Sequence, residues 1–242
     1  MRIYTYTKNY IHKNQIIMNK HISNFLLSLT IILGLTLGLS PTAYASESVT
    51  EVKNFDEFVS AVANGGYVKL GADFDYVTTD GTDYCVFFNK ETTIDLNGHT
   101  LCTSIYFWIY ASVRIIDSSP DESGVLQSTK GGNAFLLSDG SLTLESGTLS
   151  FTNSSTNGID VYQGPFTMTG GTIESAGYSI WRERNNVSIS GGTIKGGFYE
   201  NKGEIDITGG KFSFDPSDLL KNGYAAQKDG DCLSLKNVDS QH

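Results

Sequence analysis

Phe166-Thr167-Met168-Thr169-Gly170-Gly171-Thr172-Ile173 is answered by Val187-Ser188-Ile189-Ser190-Gly191-Gly192-Thr193-Ile194 and then by Ile205-Asp206-Ile207-Thr208-Gly209-Gly210. Each copy is an alternating apolar pair, a glycine corner and a further apolar residue. Ile94-Asp95-Leu96-Asn97-Gly98 and Leu142-Thr143-Leu144-Glu145-Ser146-Gly147 carry the same phrase upstream, and Val113-Arg114-Ile115 is a sixth copy with a loop grafted on. Repeats of this length are stacked units, each too small to bury its own apolar face.

Aligning the copies on Ile94, Val113, Leu142, Phe166, Val187 and Ile205 brings other residues into line. Seven positions upstream stand Phe87, Tyr106, Phe135, Ile159, Ile180 and Phe198. Past the glycine corner stand Leu101, Leu126, Leu149, Ile173, Ile194 and Phe212. Three short stretches of period 2 in every unit, with no helical stretch between them, predict an all-β coil of three parallel sheets. Counting a partial copy at Val68, the coil has about seven turns. Glycine suits the corners because it tolerates positive φ. Thr148, Thr172 and Thr193 follow it and are expected to stack as an outward column.

The coil occupies residues 67–214, between two caps. In the N-terminal cap (46–66), Asn54 reads as a helix N-cap with Glu57 three residues on. Phe55, Phe58, Val59 and Val62 form a stripe at helical spacing, ended by Asn64-Gly65-Gly66. A stack needs its open end covered, and this amphipathic helix is suited to that. In the C-terminal cap (215–242), Asp215-Pro216 opens a single helical turn holding Leu219 and Leu220, which ends at Asn222-Gly223. Asp229-Gly230 then marks a hairpin between residues 224 and 235, resting on Phe212 and Phe214.

Residues 1–45 read as a secretory signal peptide. Phe25 to Leu39 is an apolar run preceded by Lys20 and followed by Ala43-Tyr44-Ala45. The run is shorter than the ~20 residues a membrane span needs. Met18 is an alternative start that leaves an ordinary leader. The expected mature protein is therefore a secreted or cell-surface single domain and a monomer, with no membrane insertion after cleavage. The chain has 17 basic and 26 acidic residues. Residues 1–45 carry four of the basic ones and none of the acidic, so the remainder has a formal charge of −13. Such a surface makes nucleic acid and anionic membranes poor partners. Of the three cysteines, Cys85 and Cys102 lie 17 residues apart, near one repeat. Export permits a bridge between them, which the sequence leaves open.

Thr93-Ile94-Asp95-Leu96-Asn97-Gly98-His99-Thr100-Leu101, the recurring Gly-Gly-Thr-Ile, and the stretch from Gly209-Gly210-Lys211-Phe212 to Gly223-Tyr224-Ala225-Ala226 resemble secreted bacterial right-handed parallel β-helix proteins of the pectin-lyase-like fold. The resemblance runs from about Val52 to about Leu235. It implies a right-handed coil. It leaves function open, because the fold hosts polysaccharide lyases, glycoside hydrolases, adhesins and tailspikes. In members acting on polysaccharide, the groove lies on the sheet that precedes the repeat phrase.

On that sheet the residues six before each anchor are expected outward: Phe88, Phe107, Leu136, Asp160, Trp181 and Tyr199. Beside them come Asn89, Trp108, Leu137, Val161, Arg182 and Glu200. Aromatic columns with polar neighbours suit the apolar faces of sugar rings. They equally suit ordinary sheet packing, since aromatics favour strands. Long polar loops at residues 75–84, 127–133 and 151–157 overhang this sheet. The expected ligand-binding set is Phe107, Trp108, Asp160, Trp181, Arg182 and Tyr199. Asp160, Arg182 and Glu200 are the candidate catalytic groups: a lyase needs a basic residue, a hydrolase a carboxylate pair. Arg182 could equally pair with Glu183 or Glu200. Asp73, Asp75, Asp80 and Asp83 form an acidic loop able to offer oxygens to Ca2+, although Asp is common in turns anyway. No other cofactor is indicated. The reading that follows is a non-catalytic, adhesin-like protein recognising a glycan or host surface. A small polysaccharide lyase or hydrolase and a structural spacer are the alternatives.

Overall fold

The computed structural model describes residues 48–78, 84–200, 205–220 and 223–238. The leader, Asp80 and Asp83 lie outside them. The chain winds as a right-handed parallel β-helix of about six turns, with very little helix.

The first wall carries the repeat phrase. Its strands Val49–Val52, Gly66–Leu70, Thr92–Asp95, Val113–Ile116, Leu142–Leu144, Phe166–Met168, Val187–Ile189 and Ile205–Ile207 pair in parallel, in chain order. The second wall follows the glycine corner. There Phe74, Leu101, Leu126, Leu149, Ile173, Ile194 and Phe212 are in register turn by turn, as expected for the last six. Thr148, Thr172 and Thr193 form the outward column beside them. The third wall consists of Cys85–Phe88, Tyr106–Ile109, Phe135–Leu137, Ile159–Val161 and the far ends of the long strands Thr172–Arg182 and Thr193–Glu200.

Apolar side chains from all three walls meet in one core, where Ile94, Leu101, Phe107, Phe135, Leu149, Phe166, Ile173 and Ile189 are fully buried. Burying such a side chain stabilises by about 1.5–3 kcal/mol. The corner after the first wall is built from stacked glycines: Gly98, Gly147, Gly171 and Gly192 hold φ of 75°, 78°, 70° and 82°. A Cβ on Gly171 would stand 2.7 Å from the Gly147 carbonyl oxygen of the previous turn, so both conformation and space require glycine there. Two buried aspartates tie the early corners together. Asp95 Oδ1 accepts from the amides of Asn97 (3.0 Å) and Ser118 (2.9 Å), and Asp117 Oδ1 from Gly98 (2.8 Å) and Ser119 (3.0 Å).

The register corrects the alignment of the first copy. Ile94 pairs with Ile115, and Thr92 pairs with Val113. On the third wall, Val86, Phe107, Phe135, Ile159, Ile180 and Phe198 are in line. From that column to the first-wall strand is six residues in the first two turns (Val86 to Thr92, Phe107 to Val113) and seven in the later four. A corner one residue shorter flips every side chain of its strand to the other face. Hence Phe88 and Phe107 are core residues, while Phe87 and Trp108 point outward.

Both caps form. The helix Phe55–Asn64 starts at Asn54, whose Oδ1 accepts from the Glu57 amide at 3.0 Å, and it buries Phe58, Ala61 and Val62. It lies over the first strands of all three walls. Phe55 stacks on Tyr76 at 4.1 Å, and Phe58 meets Phe107 edge-on at 6.4 Å. The stretch before it is the edge strand Val49–Val52, paired with Gly66–Leu70. Its charged Glu51, bridged to Lys53 at 3.0 Å, discourages further pairing. At the other end, Asp215 Oδ1 accepts from the Ser217 amide (3.0 Å) and hydroxyl (2.5 Å) and opens a 3-10 turn over Ser217–Leu219. The hairpin Tyr224–Asp229/Cys232–Asn237 follows, and its second strand pairs antiparallel with Lys211–Phe212.

Candidate functional site

The outward column of the third wall reads Phe87, Trp108, Leu136, Asp160, Trp181 and Tyr199, one per turn and in register. It gathers two aromatic groups. Phe87 meets Trp108 at 5.7 Å, and both lie near Tyr110, at 6.3 and 6.2 Å. Three turns below Trp108 the second group begins. Trp181 stacks on Tyr199 with centroids 3.8 Å apart and planes 13° from parallel. Tyr178 meets both edge-on, at 5.1 and 6.0 Å.

Tyr178 and Tyr110 were not singled out from sequence. Tyr178 lies where Thr172–Arg182 runs unbroken round a corner, and two register irregularities flank it. In the next turn Gly197 pairs with it, so the repeat shows no matching side chain.

Between the aromatic groups the column holds only Leu136 and Asp160. Trp108 and Trp181 stand three turns apart, about 14 Å at the ~4.8 Å spacing of paired strands. Tyr199 covers one ring face of Trp181, and the other looks toward the Asp160 turn. The arrangement is a notch with aromatic jaws and a shorter, partly polar floor.

Asp160 is 3% exposed. Asn133 Nδ2 donates to its Oδ2 at 2.5 Å, and Asn157 Nδ2 donates in turn to Asn133 Oδ1 at 2.7 Å. Asp160 Oδ1 is buried without a hydrogen-bond partner. Burial, and then the nearby Glu183 charge, push the Asp160 carboxyl up to about 7. Glu183 accepts a hydrogen bond from Trp181 Nε1 at 3.3 Å. On the rim, Arg184 lies over the Tyr162 ring at 4.8 Å and Lys130 over Tyr106 at 4.6 Å.

The structure brings Trp108, Asp160, Trp181 and Tyr199 into one column and moves two expected members out of it. Phe107 is wholly buried and stacks on Phe135 at 4.9 Å, because the shortened corner turns it inward. Arg182 is also wholly buried, in register with Val161 on the core side of the wall. Glu200 pairs with Arg182 and so belongs to that neighbouring column; its side chain lies outside the described part. In backbone register Asp160 aligns with Trp181 and Tyr199, and Glu200 with Val161 and Arg182.

The acidic loop divides. Asp73 Oδ1 accepts from the Thr100 amide at 2.9 Å and lies 3.1 Å from His99 Nδ1, which lowers its carboxyl below the usual range. Asp75 is exposed on Phe74–Tyr76, opposite Cys102. The Cys85–Cys102 bridge is not formed: both are thiols, Cys85 on the third wall and Cys102 on the second, where its Sγ lies 3.2 Å from Gln127 Oε1.

Set against known proteins, the chain matches no family model, no curated protein and no solved structure.

Proposed function

We propose that this chain is a secreted or cell-surface protein of the pectin-lyase-like type that recognises a glycan, on a host or other cell surface, through the outer face of its third wall, without catalysis. The Trp181–Tyr199 stack with Tyr178 against it carries the reading, because it offers two half-buried rings and the exposed Tyr178 beside polar groups. Sugar rings settle on such surfaces through their C–H faces, and the hydroxyls seek adjacent donors and acceptors. The acidic surface and the Glu183 side chain favour uncharged sugars over uronates.

A glycan array probed with wild-type protein and Trp181→Ala tests this. The expected result is a set of neutral glycans bound by the wild type and lost, at least tenfold, in the variant. A folded wild type that binds no glycan supports the spacer reading instead.

One observation favours a second reading, a small glycoside hydrolase: a carboxyl held near 7 is suited to proton donation at neutral pH. Reducing-end release from neutral polysaccharides, abolished by Asp160→Asn, would establish it. A lyase reading has less support, since the buried Arg182 guanidinium cannot reach a polymer in the notch.

A further inference from the structure

Asp160 is not a simple surface contact. Its carboxyl lies under a chain of amides that ties two consecutive turns together. Asn157 precedes the third-wall strand of one turn, Asn133 precedes that of the turn before, and Asp160 terminates the chain. Backbone bonds fasten the same two loops: the Gly132 amide donates to Ser155 O at 3.0 Å and the Asn157 amide to Gly132 O at 2.8 Å. One carboxyl oxygen is satisfied by Asn133. The other is sealed from water with no partner. A buried group in that condition carries an uncompensated desolvation cost.

We propose that Asp160 is a proton-controlled latch on the notch: with its carboxyl protonated, Asn133 and Asn157 lie closed over the floor between Trp108 and Trp181, and with it ionised the loops release and expose the carboxylate to a sugar hydroxyl. The proposal rests on the glycan-recognition reading only for what the exposed floor contacts. The latch itself is a property of the free protein.

The direction follows from linkage. In the closed form, loss of water and the facing Glu183 charge hold the carboxyl near 7. Hydrated in an open form it would titrate near the ordinary ~3.9. The Asn133 bond favours the charged form, and the net upward displacement means that desolvation and Glu183 outweigh it. Opening therefore becomes about tenfold more favourable per pH unit between about 4 and 7, and then levels off.

The other ionisable groups nearby are placed to leave Asp160 in control. On its own wall, the strand Phe135–Leu137 to one side carries no charge. Thr172–Arg182 on the other side ends in Arg182, which lies on the core side. Beyond the strand ends, Arg184 is over Tyr162 and Lys130 over Tyr106, and Glu183 is the carboxylate that faces it.

Amide hydrogen exchange on the full chain without ligand, corrected for intrinsic rates, tests the latch. The protection factors of Gly132 and Asn157 should fall about fiftyfold between pH 5 and pH 7 and change little from pH 7.5 to 8.5. Asp160→Asn, which keeps shape and removes the proton, should give pH-independent protection. Glu183→Gln should keep the transition but move it to lower pH. Protection that is flat with pH in the wild type, or an equal transition in Asp160→Asn, overturns the proposal. Because no sugar is present, failure of the glycan array leaves this result unaffected, and the reverse also holds.

Discussion

At Asp160 the folded chain holds a carboxyl that the unfolded chain would ionise freely. Its ordinary value is about 3.9, and in the fold it stands at about 7. The unfolded state releases its proton first as pH rises. This contribution is therefore fully present below about pH 4 and is lost as pH climbs through 7. Between pH 5 and pH 8 the loss amounts to about 2–3 kcal/mol, and local opening reduces it. Urea unfolding of wild type and Asp160→Asn at both values measures it. The stability difference between the two proteins should change by that amount across the range, with the variant gaining relative to wild type at pH 8. Parallel pH profiles for the two would show that Asp160 is not held as described. Asp73 behaves oppositely, since the Thr100 amide and His99 favour its charged form, but it is exposed and its share is small.

Among the elements, the helix Phe55–Asn64 and the corner lengths explain what was legible in sequence and what was not. Asn54, Glu57 and the Phe58/Val62 stripe signal the helix through local chemistry, and the structure places each where that chemistry requires. Removing the cap by Asn54→Ala should cost about 1 kcal/mol. Phe58→Ala, at 0% exposure against Phe107, should cost about 3–5 kcal/mol. Thermal unfolding of both variants provides the comparison, and a Phe58→Ala loss no greater than that of Asn54→Ala would mean that the helix does not seal the core.

The second wall was equally legible, because glycine fixes the phase of each strand that follows it. The third wall was not. Its strands approach the next anchor through corners of six or seven residues, only some of which hold a glycine (Gly140, Gly164 and Gly203), and one residue decides which face a side chain takes. Phe107 and Trp108 exchanged roles for that reason. Trp181 and Tyr199 were placed correctly because their corners have the commoner length. Arg182 was misplaced for a different reason, since a charged residue on the core side contradicts the usual burial preference. The edge strand Val49–Val52 is as polar as a loop and takes its form from the neighbour it pairs with.

Over the whole molecule, stability accumulates from contacts between adjacent turns, so the ends matter more than in a globule. The hairpin covers the last second-wall strand, Lys211–Phe212, and its tip is held by Lys211 Nζ to Asp229 Oδ2 at 3.0 Å. A chain ending after Gly223 would leave that strand's hydrogen-bonding groups and Phe212 uncovered. It should remain folded over the early turns and self-associate. Light scattering against the full chain measures this, and a monomeric, equally stable truncation would show that the hairpin is dispensable. The formal charge of −13 outside residues 1–45 adds a repulsion that keeps the intact form dispersed.

The direction of that hairpin has one more effect. Its outer rim, Tyr224–Asp229, presents donors and acceptors in alternating narrow and wide pairs, as antiparallel partners do. A coil beginning at Phe74–Tyr76 on another copy has the evenly spaced, slanted pattern of parallel neighbours. Along this wall, then, one molecule's tail is a poor splice for another's head, and the rod's length is set within a single chain rather than by growth into a fibre.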